Sequence, residues 1–177
     1  MHNENFSKVG LGGGCHWCTE GVFESLIGIK TVKQGWISSI GIDNEFSEAI
    51  EVYFDQALIS LQTLIEIHLH THASTSNHSM RQKYRSAIYT YNDDQNQEAS
   101  NILDSLQSNF DKPIITKVLP FESFKENKGE FLNYLYNSPN KPFCKTYIHP
   151  KLSLLLTRFK PFVNSEKLAS SGVILKN

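Results

Sequence analysis

The sequence predicts a two-layer α/β domain with a ferredoxin-like βαββαβ core, a mixed or antiparallel sheet and a helical C-terminal extension. Three observations point there. Short runs with period-two apolar residues alternate with runs at helical spacing, in the order strand, helix, strand, strand, helix, strand. A glycine triplet, Gly12-Gly13-Gly14, breaks the first strand just before a helix. The helical runs carry one apolar side each, which suits helices covering one face of a sheet.

The first strand is expected over residues 7 to 12. A helix then starts near Cys15 and reaches about Leu26, with Val22, Phe23, Leu26 and Ile27 at helical spacing and Gly28 as its stop. KTVKQGWI, residues 30 to 37, reads as the next strand, followed by one over about 48 to 54 whose Glu48, Ile50, Val52 and Phe54 share a face. Ser60 is the expected N-cap of a helix over 61 to 70, and Leu61, Leu64, Ile65 and Leu69 give it an apolar side. The polar stretch from Thr71 to Gln82 reads as a loop. Ser86 to Tyr91 resumes as strand, and Asn92 with Gln95 resembles a capping box for a long helix whose inward stripe is Ala99, Ile102, Leu103, Leu106 and Phe110. PIITKVLP, residues 113 to 120, is the next strand, with helical material around 129 to 137. A last helix after Pro150 uses Leu152, Leu155, Leu156 and Phe159, and fraying is expected from about Glu166.

A chain of 177 residues suits one catalytic domain, with a core over about 7 to 145 and the helical extension over about 146 to 165. Seventeen basic and 18 acidic residues give a net charge of -1, so no global field recruits nucleic acid or an anionic membrane. The N-terminus MHNENFSKVG lacks a basic region followed by an apolar run, and no stretch has about 18 successive apolar residues, so a cytoplasmic location is expected. The oligomeric state is not legible. Three cysteines, Cys15, Cys18 and Cys144, are too few for a disulfide scaffold, which leaves thiol chemistry or burial to explain them.

The densest constellation is GGGCHWCTE, residues 12 to 20. A thiol at a helix start meets unsatisfied N–H groups and the positive end of the helix dipole, both of which favour thiolate, so Cys15 is placed as a nucleophile. Cys18, one turn on, reads either as a redox partner or as a small core residue beside Val22. Glu48 reads either as a carboxyl held among apolar neighbours, suited to general acid work, or as an exposed strand end. Tyr84 has a phenol able to donate to a bound oxygen, and Trp17 and Trp36 suit either an apolar wall around a methyl group or plain core. His68, His70, His72 and His78 fall close together; His68 and His72 share a helical face, but structural roles outweigh a metal site, and no metal is assigned. There is no Walker loop, dinucleotide fingerprint or GxSxG elbow.

With these residues in place, the chain resembles the peptide methionine sulfoxide reductases of the A class. The matching pieces are GCHWCTE at 14 to 20, SEAIEVYFD at 47 to 55, LIEIHLHTH at 64 to 72, KYRSAIY at 83 to 89, ITKVLPFESF at 115 to 124 and LYNSPNKPFC ending at Cys144. The resemblance implies that Cys15 attacks the sulfur of the S epimer of methionine sulfoxide, free or in oxidised proteins, while Glu48 supplies a proton and Tyr84 hydrogen-bonds the oxygen. It further implies a sulfenic acid on Cys15, a disulfide with Cys144 and reduction by thioredoxin or another dithiol, with no bound cofactor.

Four departures accompany the matches. His16 stands where the family has phenylalanine, altering the expected methyl wall of His16, Trp17 and Trp36. Cys18 replaces a glycine and is an alternative resolving thiol. The chain is shorter between Trp36 and Glu48, omitting the stretch that carries a second oxygen-binding tyrosine. SNHSMRQK precedes the YRSAIY strand in place of a Gly-Asn-Asp segment, which makes His78 and Ser79 candidate substrate contacts. Other cysteine chemistry on a small sulfur compound, or a non-enzymatic redox sensor or binding domain, is the alternative reading.

Overall fold

The computed structural model describes residues 6–173 and 175. Residues 1 to 5, read above as carrying no leader, lie outside them, as do 174, 176 and 177.

Strands β1 (Phe6–Gly12), β2 (Ile29–Ser38), β3 (Ser47–Asp55), β4 (Ala87–Thr90), β5 (Lys117–Pro120) and β6 (Ser123–Glu126) form one sheet in the order β5-β4-β1-β3-β2-β6. The first four, with helices α1 (His16–Glu24) and α2 (Leu61–His70) between them, make the expected βαββαβ core. Four pairings are antiparallel, and β4 with β5 is parallel, so the sheet is mixed. Helix α3 (Asp93–Leu106) supplies the crossover that a parallel pair requires.

Period two sorts the sheet residues by face. Val9, Leu11, Ile50, Val52, Phe54 and Ile88 point into the main core, where they meet Val22 and Phe23 of α1, Leu64 and Ile65 of α2, and Ala99 and Ile102 of α3. Burying each large aliphatic side chain there contributes about 1.5–3 kcal/mol. A smaller cluster of Ile37, Ala49, Ala87 and Tyr89 occupies the opposite face under Leu119, Phe121 and Phe124.

Local signals set most boundaries. Gly28 lies at φ +71, beyond the end of α1 at Glu24, two residues before the expected Leu26. Ser60 accepts from the Thr63 N–H and caps α2. Asn92 accepts from the Gln95 N–H at 2.8 Å while Gln95 Oε1 accepts from the Tyr91 N–H at 2.9 Å, the reciprocal cap expected for α3.

Some expectations need correction. Helix α3 stops at Leu106 and tightens into a 3-10 turn, Gln107–Asn109, short of Phe110. Only Lys117–Pro120 of the PIITKVLP run is strand; upstream of it the Ile115 N–H donates to the Ser74 carbonyl at 2.8 Å, in the loop after α2, rather than to a neighbouring strand. The short edge strand β6 carries one large apolar residue, Phe124, and so had no period to betray it. The material around 129 to 137 contains a 3-10 turn, Gly129–Phe131, and one helical turn, α4 (Tyr134–Asn137). Helix α5 (His149–Arg158) follows a wide π turn, Cys144–Ile148. Where fraying was expected, Asn164 caps a sixth helix, α6 (Ser165–Ser170), whose Leu168 joins the core.

Candidate active site

The turn between β1 and α1 is built to hold Cys15 close to the sheet. Gly13 has φ +152, and a Cβ there would come within 2.5 Å of the His72 ring, so only glycine lets the chain pass. Cys15 is the N-cap of α1, and its carbonyl accepts from the Cys18 and Thr19 N–H groups at 3.0 and 3.2 Å. Its thiol is lowered from an ordinary 9.0 to about 7. The largest cause is a hydrogen bond from the Cys18 thiol, aided by the N–H groups of Trp17 and Cys18; burial and the nearby Glu48 carboxyl oppose it. Cys18, buried, is pushed far up because its S–H donates to Cys15.

Glu48 begins β3 on the core face, with Ile50, Val52 and Phe54, and is 5% exposed. The exposed-strand-end alternative is thereby excluded. Its Oε1 accepts from the His16 N–H at 3.3 Å, its Oε2 lies 3.7 Å from Lys83 Nζ, and its charge reaches Cys15. Tyr84 comes to the same place because the loop before β4 is tied to β3: the Glu48 N–H and Ser47 Oγ–H both donate to the Lys83 carbonyl, and the Arg85 N–H donates to Ser47 Oγ at 2.8 Å.

A cleft of about 590 Å³ opens over Cys15, lined also by Gly13, Gly14, Cys18, Thr19, His72, His78, Tyr84, Phe143, Tyr147 and Lys151. His78 is on this lining, with its Nδ1 accepting from the Met80 N–H; Ser79 is exposed and off it. His16, Trp17 and Trp36 also lie off it. Trp17 stacks on Tyr134 at 4.2 Å between ring centroids, and Trp36 meets the His16 ring edge-on at 5.2 Å. Cys144 is buried, donates to the Ser138 carbonyl at 3.3 Å, and has its thiol pushed up by that burial.

His68 and His72 resolve as structural. His68 Nε2 donates to the Gly12 carbonyl at 2.8 Å, while His72 Nδ1 donates to the His68 carbonyl and its Nε2 accepts from Ser86 Oγ. Burial lowers His68 to about 4 and His72 well below its usual value, so both are neutral. Among the described residues no group of three His, Cys, Asp or Glu side chains could hold a metal.

Several contributors escaped sequence reasoning. Arg81 donates through Nη1 to the Gly13 and Tyr84 carbonyls, both at 2.9 Å, fastening the loop to the cysteine turn. Buried Glu20, its carboxyl pushed up by desolvation, accepts from the Asn133 and Tyr134 N–H groups and so sets Tyr134 against Trp17. Phe143, Tyr147 and Lys151 reach the cleft from the C-terminal extension. Their i, i+4, i+8 spacing was the available signal. Lys151 donates to the Thr71 carbonyl, and its charge acts on Cys15 and Cys18.

Comparison with known proteins agrees with this geometry. Residues 7–161 match the family model for peptide methionine sulfoxide reductase. The peptide methionine sulfoxide reductase MsrA of Trichodesmium erythraeum is 30% identical over 171 residues, 88% of this chain and 97% of that protein. Among solved structures, the reduced form of Mxr1 from Saccharomyces cerevisiae superposes with a TM-score of 0.70 at 22% identity, covering 80% of this chain and 91% of that one. Mxr1 in complex with Trx2 superposes with a TM-score of 0.59 at 21% identity, covering 73% and 84%. These two share the fold, and the family model spans most of the sequence: the chain belongs to the peptide methionine sulfoxide reductase family.

Proposed function

We propose that this chain is one catalytic domain that reduces the S epimer of methionine sulfoxide, free or in proteins, with Cys15 as nucleophile. The observation that carries the reading is a cleft lined by both Cys15, its thiol lowered to about 7, and the Tyr84 phenol, with the buried Glu48 carboxyl off that lining but close enough to act on Cys15. The Cys15 thiolate attacks the sulfoxide sulfur while Glu48 gives a proton to its oxygen and Tyr84 donates a hydrogen bond to it. The oxygen then passes to Cys15: the methionine S–O bond and the transient bond between the two sulfurs break, an S–O bond forms on Cys15, and methionine leaves with Cys15 as a sulfenic acid, two electrons having passed from the thiolate to the sulfoxide. Cys144 then attacks the Cys15 sulfur, water leaves, and thioredoxin or a small dithiol reduces the disulfide. The yeast relative solved with Trx2 supports thioredoxin as the donor. Of the expected substrate contacts, His78 lines the cleft and is assigned to shaping the substrate end, whereas Trp17 and Trp36 lie off it. Ser79, exposed, is the weakest of the substrate contacts expected from sequence.

Cys18 supports a second route. Its thiol already hydrogen-bonds Cys15, so it is the nearer candidate to resolve the sulfenic acid. Chiral chromatography of racemic methionine sulfoxide, incubated with the protein and excess dithiothreitol, tests the reaction. Selective loss of the S epimer is expected. Persistence of both epimers would end the reading, and loss of the R epimer would reverse its stereochemistry.

A further inference from the structure

His16, expected to form part of a methyl-binding wall, is instead 6% exposed and lies between two polar side chains beneath the cleft. Its Nδ1 is 2.5 Å from Glu48 Oε1, the oxygen that its backbone N–H also meets. On the far side of the ring, Asn127 Nδ2 lies 3.1 Å from Nε2. The proton positions along this chain of groups follow from its far end. The Phe131 carbonyl can only accept, so Gln34 turns Nε2 toward it at 3.1 Å and presents Oε1 to Asn127. Asn127 must then present Nδ2, which donates to Gln34 at 2.7 Å, while its Oδ1 accepts from the Lys128 N–H at 2.9 Å. The same amide nitrogen faces His16, whose Nε2 therefore accepts and whose ring proton sits on Nδ1.

We propose that His16 is a positioning residue for Glu48: its backbone N–H, which donates to Oε1, and its ring Nδ1, in close contact with the same oxygen, fix Oε1 and leave Oε2 to carry the proton given to the sulfoxide. The inference rests on Glu48 being the proton donor. As that proton leaves, the carboxylate that forms already has the His16 backbone N–H donating to it and the ring Nδ1 2.5 Å from the same oxygen, where a small turn of the ring brings its N–H to bear, so the arrangement favours the transition state over the ground state. The other charged groups facing the carboxyl are Lys83, 3.7 Å from Oε2, and Cys15. The uncharged Trp36 stands opposite it on β2. A phenyl ring at position 16 would fill the same space beside Trp36 while offering no N–H.

The test combines tautomer and rate. Nitrogen-15 NMR of the reduced, histidine-labelled protein should find His16 protonated on Nδ1 and unprotonated on Nε2. His16→Phe should slow single-turnover formation of methionine about 10-fold or more, within the range for general acid groups, with KM little changed. His16→Asn places an amide N–H near the Nδ1 position and should recover most of the rate, whereas His16→Gln, which reaches toward Nε2, should not. Protonation on Nε2 in the unsubstituted protein, or a His16→Phe variant reacting at the parent rate, overturns the proposal. Glu48→Gln separates the two levels of failure. If it abolishes the chemical step while His16→Phe leaves it intact, only the role of His16 falls; if it too leaves the step intact, the proton-donor reading falls with it.

Discussion

Cys15 caps a helix packed directly on the sheet, whereas Cys144 begins a single wide turn, Cys144–Ile148, in a segment of short helices. That segment is tied down by Glu20 to the Asn133 and Tyr134 N–H groups, Ser25 Oγ to Tyr136 Oη at 2.7 Å, Trp17 stacked on Tyr134, Lys151 to the Thr71 carbonyl, and backbone bonds from Ile27 to Phe162 and from Asn164 to Ser25, both at 2.8 Å. The electrostatics follow the same division. Hydrogen-bond donors lower Cys15 to about 7, while burial pushes Cys144 up. One thiol is ready to attack; the other is stored as a thiol and must leave its burial before it can resolve an intermediate. The wide, irregular turn that Cys144 begins is the part of this segment suited to such a local opening.

The sharpest way to break this contrast is to remove the reactive thiol. Cys15→Ser replaces it with a hydroxyl that does not ionise near neutrality, and methionine formation in single-turnover assays should fall about 10⁴-fold or more. A variant retaining even a tenth of the rate would move the nucleophile elsewhere.

Removing the stored thiol should have a different outcome. Cys144→Ser should release one methionine per protein at the parent rate, then slow about 10-fold in thioredoxin-coupled turnover. Peptide mapping after one turnover should find Cys15 joined to Cys144 in the parent protein. A Cys15–Cys18 bond there, with coupled turnover unaffected by Cys144→Ser, would assign resolution to the nearer thiol and give Cys144 a packing role.

A smaller effect is expected at Cys18 itself. Its S–H stabilises the Cys15 thiolate, so Cys18→Ala should raise the midpoint for Cys15 alkylation above about 7. A rise of one pH unit would cut the thiolate fraction at pH 7 from about a half to about a tenth. An unchanged alkylation profile would mean that the backbone N–H groups and helix end suffice.

The smallest effect should come far from both cysteines. Asn92→Ala removes the N-cap of α3 and should cost about 1 kcal/mol, seen as a lower denaturation midpoint, with turnover unchanged. Loss of turnover would tie the site to the stability of the crossover helix.

Much of this organisation is local and was therefore legible. Period two in the 48 to 54 run put Glu48 on one face with Ile50, Val52 and Phe54 while leaving its burial open, the glycine triplet marked the turn that delivers Cys15, and Asn92 with Gln95 marked the start of α3. Strand β6 and helix α6 were not legible, since each has few apolar residues and gains its place by docking on something distant in sequence. His16 illustrates the same limit within the site. Its neighbours in the chain suggest an aromatic wall, but its partners are Glu48 and Asn127, 32 and 111 residues away.

The sequence by itself determined the order of the βαββαβ core, the thiol at a helix start and the family, because these depend on spacing within one turn or one strand. Tertiary structure alone decided which atoms face one another: the Cys18 thiol on Cys15, the His16 ring on Glu48, and Lys151 over the cleft. A hydrogen bond requires its partners within about 3 Å and in the right orientation, a condition that only the packed sheet and helices impose on residues far apart in the chain.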